Sequence, residues 1–397
     1  MTSQAPLDGL RVVDLSRVLA GPYCTMVLAD LGAAVVKVER PGEGDETRSW
    51  GPPYTGGESA YYLSINRSKR SCALDLKDAR ARELAVELCA RADVVLENFR
   101  PGGADALGLG YDALRERNER LVYCSITGFG TGRRPPGRAG YDFIAQAESG
   151  LMAITGSDEP TKVGVAIVDV LTGLHAAVAI LAALRAGDGA RIEVPLLDSA
   201  LAGLVNVASA ALVTGEEPRR YGNAHPHIVP YQPFRAADGW VAVAAANDGL
   251  FRRLCEVIER PDLADRFPTN GSRVEGRAEL IAELDDVFAT RPADDWAAAL
   301  DAAGVPAGKI RGVLEAIDAA RDAGEDPIVT VAHPTAGELP LVRSPIHLDG
   351  MRAAEPPPLL GQHTAEVLRE LGLGDEELAD LEARGAIQLQ NVPQPPL

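Results

Sequence analysis

The chain has few of the residues that announce a partner. Only five of its 39 basic residues are lysines, and 57 acidic residues set the formal net charge at −18. A nucleic-acid-binding protein needs a strong positive field, so that class is excluded as a general function. Five cysteines (Cys24, Cys72, Cys89, Cys124 and Cys255) form no CxxC pair. That excludes a disulfide framework and points to a reducing, cytoplasmic setting. The N-terminal MTSQAPLDGL has neither a basic nor an apolar leader region. No GxGxxG follows the first strand, where the text reads LSRVLAGPYC. There is also no GxxxxGK[ST], GxSxG or HExxH. His225 and His227, separated by a proline, are too weak a pattern for a metal site, and none is expected. One long apolar run exists, Val163–Leu184, but Asp169, Thr172 and His175 interrupt it. It reads as a buried helix and not as a membrane span.

What is present is an ordinary globular composition, 46% hydrophobic and 24% charged, over 397 residues. Short β-branched runs at 10–15, 34–39, 72–76, 93–97 and 121–126 alternate with helical patterns such as 78–91. This alternation predicts an α/β chain with a mostly parallel sheet covered on both faces. Apolar helices are expected near 165–186 and 196–214, split by RIEV. A proline-rich stretch at 215–233 reads as a linker, followed by a second α/β unit with a strand at 240–245 and helices near 248–258, 275–290 and 293–303. The chain becomes irregular again near 325–361 and ends in helical patterns at 363–372 and 375–384. The domains are therefore set at 1–214, 215–233 (linker), 234–325 (small domain) and 326–397.

Asp169 is the informative residue. A lone acid near the start of an apolar helix has two readings. One is a cap or a carboxylate satisfied by a buried hydrogen bond; the other is a positioned nucleophile or acid–base group. Gly173, four residues on, would let a ligand approach that face closely. Basic residues recur after successive strand ends, in ERPGEGDETRSWGPP with Arg40, in NRSKR with Arg70, and in ENFRPG with Arg100. The ordinary reading of the NRSKR run is a solvated surface. Together the three suit an anionic ligand at the carboxyl ends of the strands, with Phe99 free to stack on a flat ring.

These residues resemble the class III CoA-transferase family, the CaiB/BaiF group. The resemblance rests on VLAGPYCTMVLADLGAAVVKVERPGEGDETRSWGPP, ENFRPGG, GFGTGRRPPGRAGYDFIAQAESGLMAITG, the Asp169 segment, EVPLLDSA and GQHTAEVLRELGLGDEEL, which run in order from residue 8 to about 385. It implies a Rossmann-like large domain built from both chain ends, a smaller inserted α/β domain, and an interlocked homodimer. It implies Asp169 as nucleophile, passing through an anhydride and an aspartyl-CoA thioester, with an acyl-CoA and a small carboxylic acid as substrates and no permanent cofactor. Tyr141 and Asp142 would stand beside it. Leu19 and Ala20 would face the thioester, Arg40 would stand on the adenine and phosphate side of CoA, and Asn98 and Phe99 would line the CoA channel, with Arg70, Arg100 and Arg138 as further cations. Leu19 stands where formyl-CoA transferase has a glutamine. The racemase branch of the family places a histidine where this chain has Tyr141, and tyrosine is a poor base near neutral pH. Transfer is therefore the expected chemistry. A 2-methylacyl-CoA racemase and a non-catalytic CoA-binding subunit are the alternatives. The glycine-poor stretch YGNAHPHIVPYQPF resembles transferases acting on succinyl-CoA and other dicarboxylates, and it offers His225, His227 and Tyr231 to an acceptor carboxylate. The histidines' local alternative is to satisfy turns.

Overall fold

The computed structural model describes residues 5–132, 138 and 140–390. Six strands, Arg11–Asp14 (β1), Ala34–Glu39 (β2), Lys69–Leu74 (β3), Val94–Glu97 (β4), Val122–Thr127 (β5) and Ala190–Pro195 (β6), form one sheet in the order β3-β2-β1-β4-β5-β6. Every neighbouring pair among them is parallel. Ile387–Gln388 adds an antiparallel edge beside β3. Parallel strands need helices on both faces, and successive residues point to opposite sides. Val12, Val35, Val94 and Val122 accordingly pack under the helices Ala20–Asp30 (α1), Ile167–Ala186 (α4) and Leu196–Gly203 (α5). Val13, Val36, Val95 and Tyr123 pack under Ala79–Ala90 (α2) and the C-terminal helices Thr364–Glu370 and Asp375–Ala383. The short helix Asp142–Glu148 (α3) lies in the loop between β5 and α4.

The chain divides into two compact units, one of residues 1–151, 163–210 and 326–397, the other of 152–162 and 211–325. The second has a three-stranded antiparallel sheet, with Trp240–Ala244 between Tyr231–Arg235 and Ala307–Lys309. Its core stacks Phe234 on Phe288, and Trp296 donates its indole N–H to Phe288 O at 2.9 Å. The stretch 215–233 belongs to this unit. Its end is no free linker, since Val229 is buried and Tyr231–Pro233 open a strand. The single helix expected at 196–214 is two, Leu196–Gly203 and Val205–Thr214, bent by 78° where Val205 takes φ 40°. Residues 167–186 are long and apolar enough to cross a membrane, with a mean hydropathy of 2.1. Val168, Thr172, Gly173, Ala176 and Ile180 are buried within the unit.

Candidate active site

The order in which strands are added reverses at β1, with β2 and β3 to one side and β4, β5 and β6 to the other. The carboxyl ends of strands at such a reversal leave a crevice, the usual ligand position in open α/β sheets. Here it is a cleft of about 600 Å³, walled by the loops after β1, β4 and β5. Asp169 lies in its wall, 8% exposed, in the first turn of α4. The helix lacks a capping side chain of its own, since its N-cap is Ala166. Asp142 caps it instead: its Oδ1 accepts from Val168 N–H at 2.8 Å and Asp169 N–H at 3.4 Å, and its Oδ2 accepts from Gln146 at 2.7 Å. Burial, and then the neighbouring Asp142 charge, push the Asp169 carboxyl up from 3.8 to about 7. Among the described residues no cation pairs with it. A desolvated carboxylate without an ion pair is a reactive nucleophile that still ionises near neutral pH.

The wall opposite begins at the end of β1. Asp14, fully buried, would be raised by burial, but Lys69 and Lys37 outweigh this and hold it at about 2. Lys37 and Asp45 form a second buried pair at 2.8 Å. Above them Val18 takes φ 72°, a left-handed conformation that costs a β-branched residue on the order of 1–3 kcal/mol. Leu19 and Ala20 follow as N-cap and first residue of α1.

Leu19, Ala20, Asn98, Phe99, Arg100, Arg138 and Tyr141 all line the cleft with Asp169. Asn98, however, spends its amide on the backbone of Arg17, accepting from its N–H at 2.9 Å and donating to its carbonyl at 2.7 Å. Arg138 pairs with Glu148 and lies over the Phe129 ring. Arg40 is not brought to the cleft wall; it is exposed and pairs with Glu43. Arg70 is not either. It is held by Glu366 and Glu370 at 2.8 and 2.6 Å. The rest of the NRSKR run is no solvated surface: Arg67 is buried against Asp30 and Lys69 against Asp14. Gly173 serves a different neighbour from the one expected. A Cβ there would sit 2.6 Å from Ala20 O, so the backbone it admits is α1 and not a ligand.

His225, His227 and Tyr231 lie in the second unit. They form a ring cluster, with His225 5.4 Å from Tyr231 and 6.3 Å from His227 between centroids. His227 N–H donates to His225 Nδ1 at 3.1 Å, so His225 does satisfy a local turn. One residue of the cleft lining, Arg17, and one outside it, Tyr61, escaped the sequence reading. Arg17 follows β1 directly, a strand-end signal like that of Arg100. Tyr61 sits close to Asp169. Its burial, and then the charges of Asp169 and Asp142, raise its phenol to about 12, and Trp50 packs edge-on against it. No local pattern marks it. Among the described residues no cluster of metal-ligating side chains occurs.

A parallel sheet covered on both faces, with a buried carboxylate in the wall of a strand-end cleft, defines a protein of the open, doubly wound α/β class. The profile of CoA-transferase family III matches residues 7–364. The human succinyl-CoA:glutarate CoA-transferase is 41% identical over 98% of this chain and 91% of its own length. The succinyl-CoA:mesaconate CoA-transferase of Haloarcula hispanica is 43% identical over 93% of this chain and 97% of its own. The crystal structure of a CaiB/BaiF family protein from Brucella suis superposes with a TM-score of 0.84 at 41% identity, covering 93% of this chain and all of that one. The chain belongs to CoA-transferase family III, and it is a CoA-transferase.

Proposed function

We propose that the protein moves CoA from succinyl-CoA to a small dicarboxylic acid, with Asp169 as the covalent carrier. The observation that carries this reading is the buried carboxylate in the wall of the strand-end cleft, which no cation among the described residues pairs. One Asp169 oxygen attacks the donor thioester carbonyl. The C–S bond breaks, giving a mixed anhydride and CoA thiolate. The thiolate attacks the Asp169 carbonyl of the anhydride, expelling succinate and leaving an aspartyl-CoA thioester. The acceptor carboxylate attacks that thioester, a new anhydride forms, and the thiolate returns to the acceptor's acyl carbon, freeing Asp169. Each step exchanges one acyl bond for another, so neither a proton donor nor energy input is required. The dicarboxylate preference rests on the relatives, which are named for glutarate and mesaconate.

Leu19 and Ala20 would face the thioester, with Arg17, Arg100 and Arg138 toward the anionic end of CoA. His225, His227 and Tyr231 would meet the acceptor carboxylate. The proposed assembly is an interlocked homodimer. Exposed apolar side chains on the helix Val205–Thr214 support an interface there, with Leu212 and Val213 87% and 86% exposed. Five buried free cysteines suit the cytoplasm. A tyrosine at 141 speaks against racemisation. The test is mass spectrometry after incubation with succinyl-CoA. A hydroxylamine-sensitive CoA adduct on Asp169 is expected, absent in Asp169→Ala, which retains CoA binding. Normal turnover by Asp169→Ala refutes the reading.

A further inference from the structure

Three consecutive residues at the cleft wall, of which Arg17 and Val18 line the cleft, are each held by a different side chain. Lys37 Nζ donates to Ser16 O at 2.8 Å. Asn98 grips Arg17 by both its N–H and its carbonyl. Asp45 accepts from Val18 N–H at 3.3 Å, while its Oδ1 also takes the N–H and hydroxyl of Thr47. Lys37 and Asp45 are tied to each other, with side chains 1% and 0% exposed. Between these anchors stands Val18 at φ 72°. A β-branched residue does not adopt this conformation unaided; it persists where the surroundings over-determine it. The next two residues, Leu19 and Ala20, line the cleft, and Ala20 O lies against Gly173, one turn beyond Asp169.

A buried ion pair is a poor way to gain stability, since apolar residues of similar volume do as well or better. What the Lys37–Asp45 pair supplies is direction: one end fixes a carbonyl, the other an N–H, two residues apart. Resting on the functional reading above, we propose that Lys37, Asp45 and Asn98 are positioning residues that lock Ser16–Val18 in its left-handed turn, so that Leu19 and Ala20 form a fixed wall against the acyl group attacked by Asp169. None of the three needs to touch the reacting atoms. The strain at Val18 is then the mark of a loop held in place for catalysis, because misplacement of a wall by about 1 Å costs on the order of 100-fold in rate.

The test compares Val18→Gly with Val18→Ala, and adds the double variant Lys37→Met/Asp45→Asn, in succinyl-CoA-to-glutarate transfer and in adduct formation at Asp169. Glycine relieves the strain and frees the turn, whereas alanine keeps the constraint and removes only the isopropyl tip. The expected result for Val18→Gly is a kcat at least about tenfold lower, with Tm unchanged or raised and KM for acyl-CoA moved less than kcat. Val18→Ala is expected to lose severalfold less kcat than Val18→Gly. The double variant removes both charges of the pair together but leaves Ser16 O without its donor, so it is expected to lower Tm while losing kcat as Val18→Gly does. Wild-type kcat in Val18→Gly or in the double variant overturns the proposal. So does an equal loss in Val18→Ala and Val18→Gly, which would assign the effect to the side chain and not to the turn. Should the wild-type protein itself form no adduct and exchange CoA with no acceptor, the functional reading fails instead.

Discussion

Replacing the Asp169 carboxyl by an amide tests the electrostatics of the site without touching its shape. In the folded chain the acid is raised from 3.8 to about 7 by burial and by Asp142. As pH climbs, the unfolded chain ionises first and the folded chain last. The stability that goes with the protonated acid is therefore complete below 3.8 and is lost as pH passes about 7. At about 1.4 kcal/mol for each tenfold change in proton affinity, the charged carboxylate costs the fold on the order of 4 kcal/mol above pH 8. Asparagine has no proton to lose, and Asp169 is 8% exposed, so solvent screening offsets little of this. Asp169→Asn is expected to be more stable than wild type by on the order of 4 kcal/mol at pH 8.5, and by about half that at pH 5.5. Per-residue unfolding entropies make the larger value a Tm gain of roughly 5 °C. Scanning calorimetry of both proteins across that pH range measures it. An equal gain at the two pH values, or a loss of stability at pH 8.5, would refute the assignment of Asp169 as a strained, desolvated carboxylate.

The same carboxylate should set the acid side of the pH–rate profile, with kcat/KM rising as Asp169 ionises. In Asp142→Asn the oxygen that caps Val168 is retained while the neighbouring charge is lost. The limb is then expected to move to lower pH, by the smaller part of the displacement because burial is the larger cause; initial rates from pH 5 to 9 read it, and an upward shift contradicts the reasoning. Gly173→Ala places a Cβ 2.6 Å from Ala20 O and 3.2 Å from the Tyr23 ring. Overpacking of this kind costs about 1–3 kcal/mol, and the displaced α1 carries Ala20 away from the cleft; a lower Tm together with a lower kcat is expected, and an unchanged Tm would show that α1 does not depend on that glycine.

Four strands, β1, β2, β4 and β5, were legible because each is a short apolar run rich in valine or isoleucine; β3 (KRSCAL) has no β-branched residue and begins three residues before the expected 72–76, and β6 reads in the sequence only as a break between helices. The run Ala34–Glu39 matches its strand residue for residue. Apolar periodicity also located α2, and it placed α4 within two residues. The bend after Gly203 was not legible. Residues on both sides are apolar and helix-compatible, so composition carries no sign of a 78° change in direction that tertiary packing imposes.

The site was legible wherever a residue broke its local pattern. Asp169 is an acid in a run of aliphatics, and Arg100 and Phe99 stand directly after a strand. The errors arose where a charge has its partner far away along the chain. Arg67 and Lys69 read as surface because nothing local marks Asp30 and Asp14, 37 and 55 residues distant, as their counter-charges. Yet the same rule, applied to AVVKVE, would have singled out Lys37. A lysine flanked by valines in a strand covered on both faces cannot reach water, so it must be paired. Its partner Asp45 lies in the glycine-rich loop that the charge pattern offered to an outside anion. Part of that loop's polarity is directed inward: Asp45 faces Lys37 and Glu39 faces Arg48, while among the described residues Arg100, Arg17 (paired with Glu46) and Arg138 (paired with Glu148) line the cleft. In a strongly acidic chain the strand ends can thus still present arginines to a cleft, because several of the acids nearby are engaged with buried bases.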